Sequence, residues 1–441
     1  MTTSELRRRL STRDLVVAGL LFIGPLAPVG VFGVLDARSG GAVALVYVVA
    51  TVAMGFTAWS YARMSAAVPR AGSVFAYASA GLGRAPGFLA GWMVMLDYLF
   101  IPSVAALFVG IATHSLLPQV PVWLATGVAI VVVTALNLSG VKVAALVGSV
   151  VLVVEVVLLA VFVVAALVVL VGEGPSRPWL SPLTGAAGFA PLAVLGAVSV
   201  AVLSFLGFDA IASFAEENTG SPRQVGRALL LCLALSGVLF VAQTYLASLL
   251  SPLTPQQLAQ DPGAQESAFY DMLRAALGGW LMVAVTAVKA VAPAFSAMVA
   301  QAAVSRLLFG MARDGQLPAS LGRVDRRTHV PRNATVLAAV VTLLVSVWAA
   351  SAEDGLEVLS SMVTVGALSA FVLLHASVVG YFAVPGRDRR ASTVVVPVLG
   401  GLVSVVVLAT ASGLALAVAA GWLVVGVLVH VLRGRRASGP G

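Results

Sequence analysis

The chain has 441 residues, of which 60% are hydrophobic and only 10% charged. Soluble globular domains carry about 25% charged residues, so this composition excludes a water-soluble fold and predicts a polytopic membrane protein. The formal net charge of +8 does not indicate nucleic-acid binding, because the basic residues are dispersed over short segments between apolar stretches. Cys232 is the only cysteine and lies in an apolar run, so no intramolecular disulfide can form.

Twelve apolar stretches follow one another along the chain, each close to the roughly 20 residues that a membrane-spanning helix needs. We therefore predict an all-α polytopic membrane protein with 12 transmembrane helices. The predicted spans lie near residues 14–35, 42–66, 86–113, 121–140, 143–172, 192–215, 225–250, 278–308, 333–352, 356–383, 392–411 and 413–432. The division between the last two, at Ser412, has the weakest sequence signal.

The basic residues test this count independently, because lysine and arginine concentrate on the cytoplasmic side of membrane proteins. If the N-terminus is inside, 22 of the 26 lysines and arginines fall in inside segments. Only Arg38, Arg177 and Arg274 fall outside, and Lys289 falls within a span. Both termini are therefore expected in the cytoplasm, and the arginine-rich N-terminal segment is expected to be a retained tail rather than a cleaved signal.

Two of the predicted spans contain helix-breaking residues in their middle. The first is interrupted by residues that remove backbone donors or loosen the helix: Gly24, Pro25, Pro28 and Gly30. The sixth carries Gly207 beside Asp209. The two spans are five apart and run in opposite directions, as an inverted repeat requires, and paired interruptions of this kind point to the substrate site of a secondary transporter. Two ordinary helix kinks are the alternative.

Four ionisable residues remain inside the predicted spans: Asp97, Glu155, Asp209 and Lys289. A charge at bilayer depth costs free energy, so each of them indicates a functional site facing protein or a water-filled cavity. At about 1.5 Å per residue, Glu155 lies about 18 Å from the inner end of its helix and Lys289 about 17 Å from the outer end of its helix. Three carboxylates against one lysine favour protons over sodium as the coupling ion.

Three segments carry a resemblance to a known family. GWMVMLDYLFIP (Gly91–Pro102), SFLGFDAIASFAEE (Ser204–Glu217) and AAVSRLLFGMARDGQLP (Ala302–Pro318) resemble the amino acid-polyamine-organocation (APC) superfamily of permeases. They are most similar to bacterial putrescine importers and related amino acid permeases. The resemblance implies a five-plus-five inverted-repeat (LeuT-like) fold with broken helices 1 and 6, a substrate between those helices, and usually proton-coupled uptake.

This fold gives the expected domain organisation. It consists of a cytoplasmic tail (1–13), a first five-helix repeat (14–172), an extracellular loop (173–191), a second repeat (192–383), helices 11 and 12 (384–432) and a second cytoplasmic tail (433–441). Residues 251–278, rich in Gln, Pro and Asp, are expected to form short helices over the outer mouth.

The substrate contacts of the family fall on backbone positions of the two broken helices. Carried over to this sequence, they are Ala27, Val29, Gly30 and Val31 in helix 1 and Leu203, Phe205, Leu206 and Gly207 in helix 6. A half-helix N-terminus attracts a carboxylate, and unwound carbonyl groups accept hydrogen bonds from an ammonium group, so such a site suits an amino acid. Asp209 is expected either to contact the substrate or to cap a half-helix.

The chain departs from the putrescine importers at one position. They tend to have an acidic residue in the break of helix 1, whereas this chain has Gly30 there. The difference favours an amino acid over a diamine. It leaves amines open, because Asp97 and Asp209 remain available to a cation.

A candidate coupling site follows from the same resemblance. It implies that helices 1, 5 and 8 converge, and several proton-coupled permeases have a lysine at the position that aligns with Glu155. We expect Glu155 and Lys289 to exchange a proton during transport, with Asp97 as a further candidate; a static ion pair that fixes helix packing is the alternative.

The sequence therefore predicts a secondary active transporter of the cell membrane that imports an amino acid by proton symport through alternating access. A polyamine importer, an amino acid/amine exchanger, a channel and a non-transporting scaffold are the alternatives. No phosphate-binding loop, metal-ligand cluster or nucleophile and base pair is recognisable, so neither an enzyme nor a cofactor is expected. The expected partners are the substrate, protons and the lipid bilayer, with no nucleic acid.

Overall fold

A computed structural model of the protein describes residues 8–139, 141–186, 188–325, 327–352, 355–384, 390–411 and 413–437. Parts of the two predicted tails, residues 1–7 and 438–441, and the predicted division at Ser412 lie outside the described residues. The predicted division into repeats and tails stays a prediction.

Twelve helical segments in the described ranges are long and apolar enough to cross a membrane, which confirms the predicted number. We call them spans 1 to 12: Thr12–Gly30, Val43–Ala67, Arg84–Leu116, Val122–Ser139, Gly148–Gly172, Pro191–Glu217, Pro222–Leu250, Gly279–Arg313, Arg332–Ala349, Val358–Phe382, Ser392–Ala409 and Gly413–Leu432. The helices of spans 5, 10 and 12 extend further, over Val141–Gly172, Gly355–Phe382 and Gly413–Ala437, and we count the helix Phe32–Arg38 as the second half of span 1.

Short helices connect several spans. They are Val74–Leu82 before span 3, Ser181–Thr184 before span 6, Pro255–Gln260, Pro262–Met272 and the π-helical Leu273–Leu277 before span 8, and the 3₁₀ turn Ala319–Gly322 before span 9. The three between spans 7 and 8 confirm the helices predicted for residues 251–278. They pack against the second half of span 1, where a Cβ on Gly33 would meet the Gln265 carbonyl oxygen at 2.2 Å.

Span 1 is broken where the sequence predicts it. Its first helix, Thr12–Ile23, stops at Gly24, which has a positive φ of 75°. A 3₁₀ turn, Ala27–Gly30, leads into the second helix, Phe32–Arg38. Unpaired backbone groups are costly at membrane depth. Gln243 of span 7 relieves this cost, because its Nε2 donates to the carbonyl oxygen of Pro25 at 2.9 Å.

Span 6 is also broken as predicted. Its α-helix, Pro191–Leu203, gives way to an irregular turn and then to a 3₁₀ helix, Phe208–Glu217. Gly207 lies at this junction with a φ of 113°, a backbone conformation that side-chain-bearing residues rarely adopt. The two breaks therefore lie in the two spans that an inverted repeat would relate.

Span 8 contains a third break that the sequence analysis missed. One helix ends at Lys289 and the next, Ala292–Arg313, begins after two intervening residues with Pro293 in its first turn. Proline fits the first turn of a helix because its missing N–H would have no helical partner there. Pro293 is the sequence feature that could have indicated this break. Because of the break, Lys289 lies at the end of a half-helix.

The spans differ in how deeply they are enclosed. Within the apolar part of span 3, 78% of the residues are buried, against 17% in span 12. Span 3 therefore lies at the centre of the bundle, and span 12 lies at its periphery with an apolar face suited to lipid.

Candidate functional site

A cavity lies where the broken spans 1 and 6 meet spans 3, 5 and 8. Four of the residues predicted to contact substrate line it: Ala27, Val31, Leu203 and Leu206. The other five, Val29, Gly30, Phe205, Gly207 and Asp209, are not among the lining residues.

Gly30 borders the cavity without lining it. A Cβ built on Gly30 would lie 3.8 Å from Cε1 of Phe108, which is a lining residue. A larger side chain would therefore extend toward the space that a substrate needs. Phe205 instead packs away from the cavity, with its ring centroid 6.1 Å from that of Tyr47 and 5.0 Å from that of Phe240.

Glu155 and Lys289 both line this cavity, one from span 5 and the other from the broken end of the first helix of span 8. The Lys289 Nζ lies 5.4 Å from the centroid of the Phe108 ring, within the range of a cation–π contact. The ion pairs of the described residues do not include one between Glu155 and Lys289. The two opposite charges therefore face one space without being joined directly.

Spans 1, 5 and 8 converge beside this pair, as the resemblance implies. A Cβ built on Gly24 of span 1 would lie 4.0 Å from the Glu155 Oε1 and 3.7 Å from the Ser296 Oγ. The Ser296 hydroxyl donates to the carbonyl oxygen of Leu21 at 2.7 Å. This bond fastens span 8 to the end of the first helix of span 1, where the helix leaves its last carbonyl groups without helical partners.

Asp209 is fully buried and faces two tyrosines instead of the cavity. Its Oδ2 accepts hydrogen bonds from the Tyr98 hydroxyl at 2.6 Å and from the Tyr61 hydroxyl at 3.2 Å. The Tyr98 hydroxyl also lies 3.3 Å from the Ser73 Oγ. Asp209 thus links the second half of span 6 to spans 2 and 3.

Asp97 is also fully buried and lies outside the residues that line the cavity. Neither of its carboxylate oxygens has a hydrogen-bond partner in the described part of the chain, and it lies within electrostatic range of Asp209. Two ionised carboxylates with no cationic partner are unfavourable in such surroundings.

A buried ion pair lies toward the side on which spans 1 and 2 are connected. Nη2 of Arg177 lies 2.8 Å from Oδ2 of Asp36, and both side chains are buried. Arg177 also donates to the Ser248 hydroxyl at 3.1 Å and to the carbonyl oxygen of Leu253. These contacts connect the loop before span 6, the second half of span 1 and the end of span 7.

A second buried ion pair lies toward the opposite side. Arg306 of span 8 binds both carboxylate oxygens of Glu217 at the end of span 6. The carbonyl oxygen of Glu217 also accepts from the backbone N–H of Leu10 at 2.9 Å, and the N–H of Thr219 donates back to Leu10 at 2.9 Å. Next to this pair, Arg313 donates to Glu216 at 3.0 Å. Both glutamates belong to the motif Ser204–Glu217 quoted in the sequence analysis, which did not identify their partners.

Twelve spans, two matched helix breaks and a mid-membrane cavity between them define a polytopic membrane permease. A family model described as amino acid permease matches residues 15–433, and the chain belongs to this family. It is 31% identical to the low-affinity putrescine importer PlaP of Escherichia coli over 88% of this chain and 84% of the relative.

Two further relatives extend over almost the whole chain. An uncharacterized transporter of Mycobacterium tuberculosis is 33% identical over 98% of this chain and 92% of its own length. The branched-chain amino acid permease BcaP of Bacillus subtilis is 26% identical over 98% of this chain and 94% of its own length. The relatives thus include both an amine importer and an amino acid permease, and this family membership indicates a transporter rather than an enzyme.

Proposed function

We propose that the protein is a secondary active transporter that imports an amino acid by proton symport. The observation that carries this proposal is the pair of opposite charges, Glu155 and Lys289, that face one cavity at the breaks of spans 1 and 8. A free amino acid carries one ammonium and one carboxylate group, so it complements both side chains at once.

The substrate is proposed to contact Ala27, Val31, Leu203 and Leu206, which line the cavity. The remaining carried-over positions, Val29, Gly30, Phe205 and Gly207, contribute through backbone groups or by shaping the breaks. Asp209 acts through Tyr61 and Tyr98 in the conformation described here and is expected to reach the substrate only after span 6 rearranges.

Glu155 is proposed to carry the coupled proton. Its ionised form is expensive at membrane depth unless a positive charge stabilises it, and Lys289 faces the same cavity. When the substrate carboxylate binds Lys289, it removes the positive charge that stabilises ionised Glu155, so Glu155 takes up a proton as the substrate binds. A carboxyl oxygen of protonated Glu155 still accepts a hydrogen bond from the substrate ammonium group. Asp97, buried near Asp209, is the alternative proton carrier.

Alternating access is proposed to proceed through the two buried ion pairs. Opening toward one side requires Arg177 and Asp36 to separate, and opening toward the other requires Arg306 and Glu217 to separate. Either separation exposes both charges to water, which offsets part of the lost attraction. The distribution of basic residues supports a cell-membrane protein with both termini in the cytoplasm.

Import of a diamine, or exchange of an amino acid for an amine, is the second candidate, and the similarity to PlaP favours it. Reconstitution of the purified full-length chain into proteoliposomes tests both. Uptake of labelled amino acids and diamines is measured under an imposed proton gradient, an imposed sodium gradient or neither. Proton-driven accumulation of an amino acid is expected. Passive equilibration of every solute would instead indicate a channel, and no flux at all would refute transport.

A further inference from the structure

The cavity between the broken spans offers one negative and one positive side chain, Glu155 and Lys289. The other two intramembrane acids, Asp97 and Asp209, are buried outside its lining. A ligand in this cavity therefore meets a single carboxylate, and it also meets an ammonium group.

Lys289 has no direct anionic partner in the described part of the chain. Its ammonium group forms neither an ion pair nor a hydrogen bond there; it lies 5.4 Å from the centroid of the Phe108 ring and interacts with the Glu155 carboxylate only through space. A cation–π contact orients a lysine without removing its charge. Lys289 is therefore available to the carboxylate of a ligand and repels a second ammonium group.

The other side chains that line the cavity are apolar, apart from two serines. Span 3 contributes Ile101, Val104 and Phe108 to its wall. Its two hydroxyl groups are already engaged within the protein, Ser204 at 3.0 Å from a tyrosine hydroxyl and Ser296 at 2.7 Å from a backbone carbonyl. A polar group on the ligand that reached this wall would lose its hydrogen bonds to water without replacement. The wall therefore suits a hydrocarbon side chain.

We infer that this cavity selects zwitterionic amino acids with apolar side chains, and that Lys289 is the specificity-determining residue that excludes diamines. The inference rests on the proposed function and names the substrate class of the same site. A diamine satisfies Glu155 with one ammonium group, and its other ammonium group meets Lys289 or the apolar wall without a counter-charge. Exclusion of this kind is specificity by repulsion rather than by added attraction.

The test compares ligands that differ by one group. Binding of L-leucine, of isoamylamine (leucine without its carboxylate) and of putrescine is measured on the purified full-length protein. The parent is expected to bind leucine at least about tenfold more tightly than either amine, the scale on which one close charge pair acts. A parent that binds putrescine or isoamylamine as tightly as leucine overturns the inference, and this comparison needs no variant.

Variants of Lys289 then test whether this residue causes the preference for leucine. The Lys289→Met variant should bind leucine and isoamylamine with affinities that differ by less than about twofold. The preference of the parent for leucine over isoamylamine would then be lost. Lys289→Arg should keep the preference. Thr286→Val is the matched control on the same helix, because Thr286 bonds only within its own helix and does not line the cavity. An unchanged preference in a folded Lys289→Met protein overturns the role of Lys289.

A protein that does not transport and a transporter with another selectivity would give different results. If no amino acid or diamine binds or is taken up, transport itself is refuted and the selectivity falls with it. If diamines are accumulated and leucine is not, the protein is a transporter and only the inferred selectivity is wrong.

Discussion

Gly207 leaves no room for a side chain beside Phe22. A Cβ built on Gly207 would lie 2.4 Å from the Cδ2 of that ring, and the φ of Gly207 is 113°. Phe22 belongs to the last turn before the break in span 1, and Gly207 lies in the break of span 6. The two broken spans are therefore in close contact where both lose their helical structure.

This contact predicts that Gly207→Ala destabilises the protein. The strained backbone and the overlap with Phe22 are each expected to cost about 1 to 3 kcal/mol. The measurement is the thermal unfolding midpoint of the purified protein in detergent. Gly196→Ala, in the helical part of the same span with no atom within 4 Å of the new Cβ, is the control and should keep the parental midpoint. Equal midpoints for both variants would contradict the close approach.

The position of Gly30 predicts a graded response to side-chain size. Gly30→Ala should bind substrate nearly as the parent does, because the new Cβ would meet Phe108 at an ordinary distance of 3.8 Å. Gly30→Leu should abolish binding while the protein stays folded, because its side chain enters the cavity. Binding and size-exclusion profiles of both variants are compared, and native affinity in the leucine variant would place the substrate elsewhere.

Glu155→Gln is predicted to separate exchange from accumulation. Glutamine keeps the shape of the side chain but cannot bind or release a proton at physiological pH. The variant should still exchange labelled substrate across proteoliposome membranes, yet lose the accumulation that an inward proton gradient drives. Because no direct ion pair joins Glu155 to Lys289, the variant should lose less stability than the roughly 3 to 5 kcal/mol typical of broken buried pairs.

Thr286→Val, which does not line the cavity, is the control and should accumulate substrate as the parent does. The double variant Glu155→Gln with Lys289→Gln should also lose coupling. Accumulation as steep as that of the parent in Glu155→Gln would assign the proton to another group. Asp97 and Asp209 would then be replaced by asparagine in turn.

Arg177→Gln is predicted to destabilise the protein strongly. It leaves Asp36 buried without its cationic partner, a loss of about 3 to 5 kcal/mol in comparable pairs. Adding Asp36→Asn should restore much of the thermal stability, because it removes the unpaired charge. Arg274→Gln, an exposed arginine between spans 7 and 8, should have no effect. A single Arg177→Gln variant as stable as the parent would mean that the pair contributes little.

The spans and two of the three breaks were predictable because they depend on local composition. Runs of apolar residues define the spans, and the glycines and prolines around Gly24 define the first break. The break after Lys289 was missed because Pro293 lies in a first helical turn, where proline also occurs in unbroken helices.

The candidate site was predictable in position but not in detail. Ala27 faces the cavity and Val29 does not, because the intervening backbone is a short 3₁₀ turn whose faces follow neither of the regular periodicities. Asp209 was singled out from its position in a span. Its partners Tyr61 and Tyr98 come from other spans, at sequence separations of 148 and 111 residues, so only the packed bundle identifies them.

The two halves of span 1 are fastened to different parts of the molecule. Leu10, just before the first half, exchanges backbone hydrogen bonds with the end of span 6, whereas Asp36 in the second half is held by Arg177 from the loop before span 6. Span 1 is thus anchored at both ends and lacks a continuous helix between Gly24 and Val31. If either anchor shifts, we expect the span to bend in this segment, beside the cavity that we propose as the substrate site.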